Sequence, residues 1–244
     1  TAAGVVTCRL RSEQRQTETR LMQFVLRKLG LTVLGQVEEP GYLEGGDFYP
    51  MGEGLCLVGV GLRSNEEAVH QCMRQGWLGT SRVGVVKDEF DKSQDRMHLD
   101  CVFNVLGRKV CLLLEDCIGR DKPWRRMVDV YERRTGDKGG GPYGPYVKAR
   151  SDVELAEFLR GEGFHIIPIP AEHQKAYGCN VLNLGGGRVV SCHKPSARLI
   201  AADPNFEGTV ELVPYDSITA MYGALHCSSQ VIRRTPQPPH ANGA

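Results

Sequence analysis

No apolar run in this 244-residue chain approaches the ~18 residues a membrane-crossing helix needs. Residues 55–60 and 110–114 are short, and a glycine interrupts the first. No charge excess exists either: Lys plus Arg total 30 and Asp plus Glu 29. That argues against a nucleic-acid surface, which needs concentrated positive charge, and leaves room for a small charged pocket. The nine cysteines include no Cys-x-x-Cys pair, so a zinc ribbon has no support. Their odd number leaves one outside any complete set of disulfides. Reduced thiols in a cytoplasmic protein are the expectation. No basic segment leads into a long apolar one over the first residues, so no signal peptide is expected in them. The first residue is threonine and a strand-like Val5-Val6-Thr7-Cys8 follows almost at once, so the natural chain is expected to begin earlier.

What the chain does contain is a succession of short elements. Residues 5–10 read as a strand. Residues 14–29 place Leu21, Phe24, Val25 and Leu29 at helical spacing on one face, and Gly30 is a helix stop. Strands follow at 31–34 and 55–60. Asn65 caps a helix over 66–75 that Gly76 ends, and 82–86 is a strand. Residues 98–105 and 110–114 read as strands around a turn at Gly107, and 124–132 as a helix. The 135–145 stretch, with five glycines and two prolines, reads as a loop. Ser151 is the cap candidate for a helix over 152–159, with a buried strand at 164–169. Residues 180–184 and 189–192 flank Gly185-Gly186-Gly187, a short helix spans 196–202, and strands lie at 210–213 and 228–232. The tail from Thr235, with three prolines, reads as disordered.

A weak internal repeat runs through this order. Residues 26–31 resemble 159–164, each carrying a helix end through glycine into a strand. Residues 44–60, 98–114 and 180–192 each run polar residue, strand, glycine-containing turn, apolar strand. Such units arranged about an axis would bring the polar residues that open them together at the centre.

Met97-His98-Leu99-Asp100-Cys101-Val102-Phe103-Asn104 is the densest of these openings. In a strand His98 and Asp100 share a face, the imidazole as proton carrier and the carboxylate as anchor for a cation. Glu44 and Asp47 flank two glycines that permit close approach, so both acids could line a pocket, and a turn-capping role suits Asp47 equally. Arg63 precedes a helix and suits a carboxylate. Asn180 and Asn183 are weaker candidates that hydrogen-bonded strand ends would explain. Cys227 lies among small residues, where a substrate can approach its sulfur, and it needs nearby positive charge to ionise. His193 and His226 have no assigned role and are read as solvent-facing.

Taken in order, Leu43-Glu44-Gly45-Gly46-Asp47, Gly61-Leu62-Arg63-Ser64-Asn65, Met97 to Phe103, Gly178-Cys179-Asn180-Val181 and Leu225-His226-Cys227 resemble the guanidino-group modifying enzymes. These include arginine deiminases, amidinotransferases, dimethylarginine hydrolases and peptidylarginine deiminases. The resemblance implies an α/β fold of the pentein type, a pseudo-fivefold propeller of ββαβ-like repeats. It implies one catalytic domain over 1–234, its first repeat incomplete because the family's further guanidinium-binding acid lies on a preceding strand. It also implies Cys227 as nucleophile, His98 as general acid/base and Glu44 as its orienting partner. Asp100, Asp47, Arg63 and Asn180 would be substrate-binding. The implied activity is hydrolysis of a guanidino group, arginine to citrulline and ammonia, through a covalent intermediate on cysteine. No metal and no organic cofactor is implied. The partner is a small guanidino molecule, with no nucleic acid or membrane, and a homo-oligomer is compatible. Arginine deiminases often have an arginine before the cysteine; His226 stands here, as in amidinotransferases. Amidino transfer to an amine and a non-catalytic binding module therefore stay open as alternatives.

Overall fold

The computed structural model describes residues 4–134 and 144–232. The chain opens with β1 (Val5–Thr7), α1 (Glu18–Lys28) and β2 (Val33–Gln36), β1 and β2 pairing in parallel. A fuller unit follows. β3 (Phe48–Gly52) and β4 (Leu55–Val60) form an antiparallel hairpin, α2 (Glu66–Arg74) crosses over, and β5 (Arg82–Lys87) returns parallel to β4. Parallel return requires such a crossover. β6 (Phe103–Gly107) and β7 (Val110–Leu114) repeat the hairpin. An inserted pair, β8 (Met127–Arg133) and β9 (Tyr146–Glu154), then extends the previous sheet to the order β3-β4-β5-β8-β9. α3 (Leu155–Gly161) leads to β10 (His165–Ile169), parallel to β7, and α4 (Ala171–Lys175) follows. The third unit is β11 (Leu182–Gly185), β12 (Arg188–Ser191), α5 (Lys194–Ala202) and β13 (Thr209–Leu212), before α6 (Asp216–Thr219).

The three hairpins share one irregularity. Their registers shift between Pro50 and Gly52, Val105 and Gly107, and Asn183 and Gly185, each time at the glycine entering the turn. The repeat legible in the sequence is thus a structural one, and among the described residues its first copy is β1, α1 and β2 without a hairpin. Among the described residues the sheets are open, with two, three, three and five strands. The ladders establish a mixed α/β fold of repeated units; a propeller is a finer description than they carry.

Leu57, Phe103, Leu113 and Phe158 anchor a core between the five-stranded sheet and the second unit. Val58, Val69 and Val85 pack α2 against β4 and β5, and Leu112, Ile167, Val189 and Ile200 join the second unit to the third. Every residue of β4 and β7 is buried, in keeping with central strands covered on both faces.

Several local expectations fail for identifiable reasons. Residues 98–102 are not strand: His98 caps a 3-10 turn, Leu99–Cys101, and β6 begins only at Phe103. Residues 124–132 are not helix, since Met127 to Tyr131 form the buried strand paired with β5, where Val128 and Val130 suit the sheet interior. Ser151 and Asp152 lie inside β9, which runs to Glu154, and Glu154 caps α3 by accepting from the backbone N–H groups of Ala156 and Glu157. Residues 228–232 form no strand. The apolar face read on α1 is turned outward: Leu21 is 64% and Phe24 59% exposed, while Thr19 and Leu26 face inward. The loop read at 135–145, apart from Gly144 and Pro145, and the tail from Thr235 lie outside the described residues.

Candidate active site

Glu44 and His98 occupy corresponding places in the first two full units. Each precedes a three-residue 3-10 turn, Gly45–Asp47 or Leu99–Cys101, with extended backbone (φ −125° and −126°). The turns lie against each other, and the Leu99 N–H donates to Asp47 Oδ1 at 2.8 Å. Ser64, fully buried, donates to Asp47 Oδ2 at 2.6 Å and accepts from the Glu44 N–H at 3.1 Å. Glycine is required where the turns meet. A Cβ on Gly46 would lie 3.0 Å from the Asp100 carboxylate, and one on Gly59 2.5 Å from Asp47 Oδ1.

This joint brings the predicted pair together. Glu44 Oε2 lies 2.9 Å from His98 Nε2, and Glu44 Oε1 accepts from the Arg11 N–H at 3.1 Å. Arg63 Nε stands 4.0 Å from Glu44 Oε2 and 3.3 Å from Met97 Sδ. Burial pushes the Glu44 carboxyl up, but the His98 bond and the positive charge of His98 and Arg63 outweigh it and hold it below its usual value. Burial likewise lowers His98, and Glu44, Asp47 and Asp100 overcome it, so the imidazole titrates above its ordinary value. Asp47 lies deeper. Burial raises it to about 7 against the opposing pull of His98, Ser64 and Leu99. Both Asp47 oxygens are engaged inside the protein.

Asp100, 1% exposed, joins this pair to the C-terminal segment. Cys227 Sγ is 3.6 Å from Asp100 Oδ2, and His226 Nδ1 is 2.9 Å from the same oxygen. Asn180 clamps the segment from the third unit. Its Oδ1 accepts from the N–H groups of His226 and Cys227, while Nδ2 donates to Cys227 Sγ at 3.2 Å and to the Asp100 carbonyl at 3.3 Å. Of the nine free cysteines Cys227 is the exposed one. Its surroundings still strip solvent from the sulfur. Burial first and the Asp100 charge second push the thiol to about 11, with the Ala224 backbone and Asn180 pulling the other way. A cation arriving beside Asp100 would remove the second cause and favour the thiolate.

All the predicted residues, Cys227, His98, Glu44, Asp100, Asp47, Arg63 and Asn180, thus belong to one connected cluster. Asn180, expected as substrate-binding on the resemblance, bonds to the His226 and Cys227 N–H groups, the Cys227 sulfur and the Asp100 carbonyl. Sequence reasoning missed Arg11 and Ser64, whose contacts cross 33 and 20 positions. It also left His226 facing solvent, although adjacency to Cys227 was a usable signal. Asn183 lies outside the cluster and donates to the Val105 carbonyl.

The fold is similar to that of a dimethylarginine dimethylaminohydrolase solved as an adduct with 4-chloro-2-hydroxymethylpyridine. The TM-score is 0.63 at 19% identity, covering 93% of this chain and 72% of that one. The dimethylarginine dimethylaminohydrolase of Pseudomonas aeruginosa complexed with citrulline gives 0.58 at 19% identity, over 89% and 68%. The product-bound N-terminal domain of ArgZ, an arginine dihydrolase from cyanobacteria, gives 0.65 at 17% identity, over 92% and 71%. The fold is thus that of the pentein-type, guanidino-group modifying enzymes. A family model described as arginine deiminase matches residues 1–234, and the chain belongs to the arginine deiminase family. It is 25% identical over 253 residues to the arginine deiminase of Halobacterium salinarum, across 80% of this chain and 49% of that protein. The chain therefore spans about half the length of that curated relative.

Proposed function

We propose that residues 1–234 form a cysteine-dependent hydrolase of a guanidino compound, converting arginine and water to citrulline and ammonia. The observation that carries this reading is the buried Asp100 carboxylate with the Cys227 sulfur 3.6 Å away, one turn of chain from an imidazole held by a second acid. A guanidinium is planar, cationic and resonance-stabilised, so water alone attacks it poorly. Asp100 offers it a charge-assisted hydrogen bond. Once seated, the cation offsets the charge that holds the Cys227 proton; that proton passes to solvent water, and the thiolate attacks the central carbon. His98, kept protonated by Glu44, gives its proton to the departing amino group, and ammonia leaves a thiouronium on sulfur. Neutral His98 then takes a proton from water, which attacks the same carbon. Citrulline departs and the thiol is restored. Nine free thiols support a reducing compartment, the cytoplasm.

Incubation with arginine alone tests the reading: ammonia and citrulline appear, and Cys227→Ala abolishes both while far-UV circular dichroism stays unchanged. Unaltered turnover by Cys227→Ala would remove the nucleophile. Amidino transfer is the second reading, favoured by His226 directly before the cysteine; it predicts turnover only when an amine is added. No reaction with any guanidino compound would leave a binding module.

A further inference from the structure

His226 is held inside the cluster, yet the reaction above gives it no part. Its Nδ1 lies 2.9 Å from Asp100 Oδ2, so this nitrogen carries the proton. Its ring stacks on Tyr49, with centroids 5.3 Å apart and planes 8° from parallel. Tyr49 is itself buried and tied to the Phe103 carbonyl at 3.1 Å. The other side-chain groups on the Asp100 carboxylate are weak sulfur donors, Cys227 and Cys101, each at 3.6 Å. A carboxylate 1% exposed needs a stronger partner than these. We propose that His226 is a positioning residue that takes the cation's place on Asp100 before substrate binds, shielding the Cys227 sulfur from the carboxylate until a guanidinium displaces the imidazole.

The geometry supports both halves of this. One oxygen, Asp100 Oδ2, serves imidazole and sulfur together, so whatever binds there also sets the charge felt by Cys227. A guanidinium and an imidazole compete for that oxygen. The side chain of His226 is a quarter exposed, which gives it a way out. The titratable groups facing the joint are Asp100 and Cys101 from the turn, His98 before it, Asp47 from the neighbouring turn, Tyr49 from β3, Cys179, and Cys227 itself.

Alkylation of Cys227 by iodoacetamide, followed by mass spectrometry of its peptide from pH 6 to 10, tests the shielding without any substrate. His226→Phe keeps the stack on Tyr49 and loses the donor. Its alkylation profile moves to higher pH, slowing the reaction about tenfold at a fixed pH below the midpoint, the effect of roughly one pH unit. His226→Asn retains an N–H and moves the profile back toward wild type. A His226→Phe profile that superimposes on wild type, or an asparagine that restores nothing, overturns the shielding. If the phenylalanine variant does not fold, His226→Ala takes its place with the same expectation.

The displacement half rests on the proposed hydrolase reading, and KM for arginine reads it. Removing a resident competitor lowers KM in His226→Phe, whereas loss of folded protein leaves KM unchanged; an unchanged or higher KM overturns displacement. A chain inert toward arginine whose alkylation profile still shifts would sink the hydrolase reading and uphold the shielding.

Discussion

Glu44 and His98 meet because they are the same position in two copies of one turn, and a 2.9 Å hydrogen bond joins them. Each raises the other's tendency to be charged. His98 titrates above its ordinary value, so the bond stabilises the fold fully below the unfolded imidazole value of 6.5 and is lost as pH rises through the folded one. Glu44→Gln removes a leading cause of that upward shift, while the burial that lowers the imidazole remains. The His98 ring-proton titration followed by NMR then moves to lower pH; an unmoved midpoint would mean that Glu44 does not govern the proton. The chemistry-bearing residues were legible because their types are unusual beside glycine or in tight succession. Their partners were not. Ser64 is an ordinary serine in sequence and becomes the hub between Glu44 and Asp47 only when β4 turns into α2.

At the scale of the element, the 3-10 turns matter more than the strands. Asp100 takes the place in the second turn that Gly46 takes in the first, and each fits because the other does. Gly46→Ala puts a methyl 3.0 Å from the carboxylate and displaces it. On the proposed hydrolase reading, misplacement of that size lowers turnover by roughly 10²-fold, read by citrulline formation, with little change in melting temperature. Asn65 has a purely structural task. Its Oδ1 accepts from the Ala68 and Tyr42 N–H groups, and its Nδ2 donates to the Pro40 carbonyl. Asn65→Ala loses the cap of α2 and both ties to the preceding loop, costing about 1–2 kcal/mol in urea denaturation. This cap and Gly76 were legible in advance because they act locally. The strand at Met127–Arg133 was not, since its strand character comes from pairing with β5 across 40 to 50 residues. Nor could periodicity reveal which side of α1 faces the protein.

For the whole molecule, the joint between units carries an electrostatic load. Asp47 is raised from its ordinary 3.8 to about 7, so the folded state holds a proton that the unfolded state has released. Stability therefore falls as pH rises between those two values and is level above them. Asp47→Asn lacks this loss: its stability relative to wild type, measured by urea denaturation from pH 4 to pH 8, increases across the window and then levels. A constant difference would show that Asp47 titrates normally. The repeated units were visible in the sequence as recurring hairpins, whereas their mutual placement depends on side chains far apart along the chain. One consequence follows from where the sulfur sits. Glu44, His98, Asp100 and Asn180 all precede Cys227 in the chain, so the residues around the sulfur are synthesised before it. A chain cut short of Cys227 would keep Asp100 and Asn180 but lack the thiol they hold in the folded protein.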